Sequence, residues 1–250
     1  MPGKPGRQRD VALFGVINRT DFHVILKKAR AGQGSGNEFG YVREPENAIR
    51  DAALLAWEYL SGKRISEFVG RQYYDDLYIG LTMEHWRISK IANKDVLQFY
   101  IRILKRGRRK RLCTQCKTEN ASASKFCKDC GASLNDATYT FKAKEIWKWK
   151  DLLLEDPFAQ YILEWLKYLE KEKYQGRIFA ISRTQAWRIM HHLGITNHIN
   201  RHWRSTHLSS SMNPFELKEA LDRATIPVEY VHGEPTKQLI KTEEADKTWQ

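Results

Sequence analysis

The chain has no apolar run approaching the roughly 20 residues of a membrane span, and its N-terminal MPGKPGRQRD lacks the hydrophobic core of a secretory signal. These two absences set aside membrane-embedded and secreted classes, and they predict a cytoplasmic protein. No internal repeat is visible, which excludes solenoids and propellers. Cysteine is scarce: there are four, all between positions 113 and 130. In a reducing compartment that crowding points to a metal site and not to two disulfides. Acidic residues are missing where they would be most expected. HINRHWRSTHL, residues 198–208, holds three histidines and two arginines with no carboxylate to pair with them.

What is present is charge of the other sign. Lys and Arg total 42 against 30 Asp and Glu, a formal charge of +12. Such a surplus favours a polyanionic partner, nucleic acid ahead of anionic membrane. At 250 residues, 42% of them hydrophobic, the chain is long enough for one large core or two modest ones.

Residues 1–40 read as a basic, flexible N-terminal arm, with two prolines in the first ten positions and the glycine-rich AGQGSGNEFG at 31–40. From Pro45, PENAIRDAALLAWEYL places Ile49, Ala52, Ala53, Ala56, Trp57 and Leu60 at helical spacing, and SGK stops it. A second helix is expected near Arg64. DLYIGLTMEHWRIS (76–89) and DVLQFYIRIL (95–104) are rich in β-branched and aromatic residues and flank the turn-like IANKD, so they predict adjacent antiparallel strands. Beyond the cysteines, AKEIWKWKDLLL (143–154), DPFAQYILEWLKYLEKEK (156–173), SRTQAWRIMHHLG (182–194) and NPFELKEALDRA (213–224) carry helical periodicity, the second with Asp156 as a cap before Pro157. The fold class is therefore α+β, helices around a small antiparallel sheet.

The cysteine segment reads CTQC, a ten-residue spacer, then CKDCG, with the thiols of Cys113, Cys116, Cys127 and Cys130 as metal ligands. Two such hairpins can close a tetrahedron of thiolates around Zn²⁺, and Gly131 stands where the second turn needs it. A four-cysteine site leaves no open position, so the zinc is structural and not catalytic. It staples a ribbon over 113–134 that is too short to bury a core of its own, with direct DNA reading as the alternative role. Just before it, ILKRGRRKRL is basic from 105 to 111 except at Gly107. Following an apolar strand, it reads as a β-turn that lays Lys105, Arg106, Arg108, Arg109, Lys110 and Arg111 along a phosphate backbone, with one member singled out for chemistry.

Three stretches in order, GKRISE at 62–67, HINRHWRSTHL at 198–208 and EYVHG at 229–233, resemble the "TGLRISEL", "HxLRHTFATHL" and "xYxH" boxes of the tyrosine recombinases, the phage-integrase family, in an archaeal-type form with an inserted zinc ribbon. Each box alone is weak; their order and spacing carry the match. The resemblance covers about residues 41–240, leaving 241–250 as a tail. It implies a mainly helical catalytic domain with a small antiparallel sheet. The implied activity is site-specific DNA recombination or integration on a mobile element, cleaving and rejoining strands through a 3′-phosphotyrosyl intermediate without a catalytic cofactor. The implied partner is double-stranded DNA, held by a tetramer that can be a monomer when free, and the implied location is the nucleoid.

The chemistry accounts for the residue types. Attack on a phosphodiester gathers negative charge on the non-bridging oxygens, and two guanidiniums clamp it without losing protons. The resemblance assigns these to Arg64 and Arg201, with His198 as the proton-relaying or phosphate-bonding histidine and Tyr230, 29 residues after Arg201, as nucleophile. It assigns the acid for the leaving 5′ oxygen to Lys105, by likeness of YIRILKRGRRKR to the family's "KTGKxR" turn, with Lys110 as the backup because Arg108 replaces the second lysine. Glu67 can pair with Arg64 and orient it, while His202, Trp203 and His207 read as structural. Two departures stand out: Asn200 replaces an apolar residue, and the family's "LGH" appears as LDR, which puts Arg223 where a histidine or tryptophan supports the phosphate. There is also little room for the usual N-terminal core-binding domain. Two alternatives follow: a DNA-binding protein of the same fold that has lost cleavage, and a type IB topoisomerase-like relaxing activity.

Overall fold

The computed structural model describes residues 18–33, 44–74, 76–104, 107–143, 145–196, 199–209 and 211–222, with only the backbone at 107, 108, 142 and 143. The chain divides into a unit of residues 1–63 with 189–250 and a unit of residues 64–188. The described part is α+β, with seven α-helices and three small antiparallel sheets.

The first unit is helical. Its centre is α2 (Pro45–Ser61), in which every residue from Asp51 to Leu60 is buried. Such a helix needs neighbours on several sides. α1 (Arg19–Arg30) supplies Phe22, Leu26 and Ala29 to the buried side, and the Phe22 ring stacks on Tyr59 with centroids 4.1 Å apart. Burying a ring of this size contributes about 1.5–3 kcal/mol, so residues 19–30 are a packed helix within a segment expected to be a flexible arm. Asn18 caps α1 by accepting from the Asp21 N–H at 2.7 Å. α2 ends at Gly62, as SGK predicts; its φ of +61° is left-handed, and a Cβ there would lie 2.5 Å from the Leu221 side chain. α6 (Ile199–Ser209) and α7 (Pro214–Ala220) complete the unit, α7 opened by Asn213, whose Oδ1 accepts from the Phe215 and Glu216 N–H groups.

The second unit opens with α3 (Ile65–Val69) and a two-stranded hairpin, β1 (Arg71–Tyr73) and β2 (Asp76–Tyr78). Residues 76–89 do not form one strand. After β2 the chain turns at Gly80 (φ +101°), makes a 3₁₀ turn at Met83–His85, and only then enters β3 (Trp86–Ile91). β3 pairs antiparallel with β4 (Lys94–Arg102) across the expected turn at Ala92 and Asn93, both with positive φ.

The third strand of that sheet is a correction to the sequence reading. Residues 147–153, expected within a helix, form β8 (Trp147–Leu153), antiparallel to β4 with Trp149 opposite Tyr100. The cause is visible in WKWK: residues alternate with period two, which sets Trp147 and Trp149 on one face beside Tyr100, at 5.3 and 5.1 Å between ring centroids. The other face of β4 buries Leu97, Phe99 and Ile101, and Phe99 meets Phe68 of α3, which also meets Phe179. α4 (Ala159–Lys171) follows; the Asp156 carboxylate accepts from the Phe158 N–H at 2.9 Å just before it. α5 (Arg183–His192) crosses the boundary between units.

The remaining sheet, in the order β6–β5–β7, joins β5 (Gly107–Leu112), β6 (Glu119–Ala121) and β7 (Thr138–Ala143) around the four cysteines. The basic run is therefore a central strand from residue 107 and not a β-turn. Two partner strands satisfy its backbone, which a free turn could not offer.

Candidate functional site

Arg64 caps α3, and the geometry around it is set by Glu67, whose side chain is 1% exposed. The Glu67 carboxylate accepts from the Arg64 backbone N–H at 2.8 Å, from the Arg64 guanidinium at 3.3 Å and from the Leu104 N–H at 3.2 Å. A buried carboxylate needs such donors. The Leu104 carbonyl in turn accepts from Arg71 at 2.8 Å. Both peptide groups of Leu104, the residue before Lys105, are thus held by side chains of the α3–β1 segment. Arg64 itself keeps 20% of its side chain exposed, enough to meet an anion. Nearby Tyr78 donates to the Glu67 carbonyl at 3.0 Å, and burial pushes its phenol far above the ordinary tyrosine range. It is unsuited to act as a nucleophile.

In the first unit, Arg201 lies on α6 with only 7% exposure and donates to the Leu221 carbonyl at the end of α7, at 2.7 Å. An ordinary surface arginine would not be buried in this way. Asn200, the departure from an apolar residue, is fully buried and donates to Glu58 of α2 at 3.0 Å. His207 bonds Tyr59 through Nδ1 at 2.6 Å, and Trp203 is buried against Phe22, so both serve α6 packing as expected. At the base of the unit, the Lys63 ammonium forms an ion pair with Asp222, both side chains nearly inaccessible. These two residues precede Arg64 and Arg223 in the chain. Lys105, Arg106, His198, Arg223, Tyr230 and the side chain of Arg108 lie outside the described residues.

The four cysteines come together. Their sulfurs all lie within 4.8 Å of one another, with Cys113 to Cys130 at 3.6 Å and Cys116 to Cys127 at 3.5 Å. Four sulfurs about 2.3 Å from one ion would stand roughly 3.8 Å apart, so the cluster can hold a metal ion. Its two hairpins repeat one geometry. In the first, the Cys113 carbonyl accepts from Lys117 and the Cys113 N–H donates to Thr118; in the second, Cys127 does the same with Gly131 and Ala132, all four bonds between 2.8 and 3.0 Å. Lys117 and Gly131 both take left-handed φ, +59° and +72°. The ligands are also tuned by backbone amides. N–H groups of Cys130 and Asp129 hold the Cys127 thiol down to about 6. For Cys130 the Ala132 N–H pulls the same way, but the facing Cys116 sulfur, burial and the other two sulfurs push it up to about 12. Without an ion the four thiols cannot all ionise together. Cys113, Cys127 and Leu134 form a small apolar core beneath the cluster.

β5 sorts the basic run by parity. Lys110 pairs with Glu119 at 2.6 Å. On the opposite face, Arg109 lies 4.5 Å over the Tyr139 ring. Arg111 is engaged internally: it donates to the Tyr139 hydroxyl at 2.7 and 2.9 Å and to the carbonyls of Ser124 and Leu134 at 3.0 and 3.4 Å. Its guanidinium ties the loops around the cysteines to the β6–β5–β7 sheet.

No protein-family model matches the chain, and no curated protein matches it. Among solved structures it resembles the XerH site-specific recombinase bound to palindromic difH substrate in a post-cleavage complex, at 14% identity and a TM-score of 0.49, covering 94% of this chain and 53% of that one. It also resembles the pre-cleavage complex of XerH with difH, at 14% identity and a TM-score of 0.45, covering 94% and 52%. The chain thus spans about half the length of the recombinase chains it resembles.

Within the described residues, the sequence reading named Arg64, Glu67, Arg201 and the cysteines, and the structure brings Glu67 onto Arg64 and the four cysteines together. The sequence reading missed Glu58, Lys63, Asp222 and Arg71. Each of these is a charge placed by tertiary contact, and its sequence neighbours carry no periodic signal that would mark it. Among the described residues, no helix is long and apolar enough to cross a membrane.

Proposed function

We propose that this protein is a site-specific DNA recombinase or integrase of the tyrosine-recombinase kind. The observation that carries the reading is the Glu67 carboxylate, which grips Arg64 and the Leu104 peptide together and so fixes a guanidinium and the chain just before Lys105 on one buried anchor. Arg64 and Arg201 would clamp the non-bridging oxygens of the scissile phosphate. His198 would bond that phosphate or take up the phenol proton, and Arg223 would add a further cation. Tyr230 Oη would form the bond to phosphorus as the bond to the 5′ oxygen breaks, the leaving oxygen taking a proton from Lys105 or, failing it, Lys110. Reversal by a 5′ hydroxyl would rejoin the strands, so no cofactor is consumed. The ion in the four-cysteine cluster would be Zn²⁺, held only for structure. Double-stranded DNA would be the partner, a tetramer the working assembly, and the nucleoid the location.

The test is covalent trapping. A nicked duplex taken from a pool of the host element's DNA should capture the chain on a 3′ end, because loss of the short downstream strand prevents religation. Tyr230→Phe should abolish the adduct and leave binding nearly unchanged, and Arg201→Ala should suppress it by a few kcal/mol of barrier. An adduct that survives Tyr230→Phe would assign another nucleophile. Binding without any adduct would instead favour a DNA-binding protein of this fold without cleavage, the reading that Arg223 in place of histidine or tryptophan supports.

A further inference from the structure

The face of β5 that carries Arg109 continues into a ridge of aromatic rings. Tyr139 of β7 lies under the Arg109 guanidinium at 4.5 Å, and Arg109 stands opposite Phe141 in the β5–β7 register. Tyr74 stands edge-on to Tyr73 at 4.7 Å, and Tyr73 meets Phe141 at 5.0 Å. Arg71 closes the other end, 5.3 Å from the Tyr73 centroid. Tyr73 and Tyr74 are 41% and 43% exposed. Arg109 is exposed and forms no ion pair with a described acid.

Tyr74 is also held at φ +55°, a left-handed conformation that a bulky side chain adopts at a cost and that glycine or asparagine would take more easily. A strained, exposed tyrosine joined through Tyr73 and Phe141 to the strand position of an exposed arginine is placed for something outside the fold.

We infer that Tyr73, Tyr74, Tyr139 and Arg109 form a stacking surface for unpaired bases of nucleic acid, with Arg109 taking the adjoining phosphate. The inference rests on the DNA reading above and adds a second contact to it, apart from the Arg64 anchor. Bases in an intact duplex are already stacked and gain little from exposed rings, whereas an unpaired base has a free face for them. The arginine beside the rings matches the phosphate that accompanies each base. Strand exchange is a reaction that unpairs bases.

The test compares a fluorescein-labelled duplex with the same duplex carrying a central unpaired bubble, binding each to the full chain. Wild type should bind the bubble roughly 5- to 150-fold more tightly, the range expected for one stacked base. Tyr74→Gly should abolish that preference, leave duplex binding within about twofold and keep or raise the melting temperature, since glycine relieves the left-handed strain. Tyr74→Phe, which keeps the ring, should retain most of the preference. If wild type binds duplex but does not prefer the bubble, or if Tyr74→Gly keeps the preference, the stacking surface is overturned and the DNA reading stands. Failure to bind either probe at low salt overturns both.

Discussion

A single buried ion pair shows how the residue scale sets the stability of the first unit. Lys63 and Asp222 have side chains 1% and 3% exposed, so each has lost its water and relies on polar neighbours, the other of the pair among them. Lys63→Met is expected to cost about 3–5 kcal/mol, because the carboxylate keeps its desolvation cost and loses its cation; Lys63→Met with Asp222→Leu should recover most of it. Urea unfolding with both variants checks this. A loss under about 1 kcal/mol in the single variant would mean that the pair is screened by solvent. Neither residue was legible as a partner, since 158 residues lie between them. Glu67, by contrast, was legible: it stands three residues after Arg64, and helix geometry brings such neighbours together.

At the scale of elements, the β6–β5–β7 sheet and the helices of the first unit draw stability from different sources. Among the described residues, the β6–β5–β7 sheet encloses a small apolar core of Cys113, Cys127 and Leu134, with Ala132 and Ala137 packed against it, too little to offset the ordering of nearly 40 residues. An ion held by the four cysteines would supply the remainder. Purified protein is expected to carry about one zinc per chain. Stripping it with a chelator should speed amide exchange throughout β5, β6 and β7 while α2, buried along Asp51 to Leu60, keeps its protection. Cys127→Ser should reproduce the effect. Protection of β5 that survives metal removal would show that the sheet holds itself. β8 teaches the converse lesson for sequence reading. Its WKWK alternation is a strand signal, but Leu152, Leu153 and Leu154 beside it also suit a helix, and only the free edge of β4 decided between them.

For the whole molecule, the +12 charge predicts binding that weakens steeply with salt, but the structure divides the basic run into cations that are free to act and cations that are not. Arg109→Gln should lower the slope of log affinity against log salt by about 0.9, one phosphate contact. Arg111→Gln should leave the slope almost unchanged and instead loosen the ribbon, since its donors are bound to Tyr139, Ser124 and Leu134. Salt titrations of the two variants on one duplex separate these outcomes. Equal losses of slope would place Arg111 at the phosphate backbone.

Local chemistry was enough to determine several features from sequence: α2 and its stop at Gly62, the β3–β4 turn, the helices after Asp156 and the four-cysteine cluster. Each is written in contacts or spacings of a few residues, where periodicity, caps and ligand geometry act directly. Tertiary structure alone decided that the basic run is a central strand, that residues 147–153 complete a sheet, and that residues 19–30 pack on α2. In these segments local preference was weak or divided, and the choice fell to whichever conformation satisfied backbone hydrogen bonds and buried apolar surface against a partner distant in the chain.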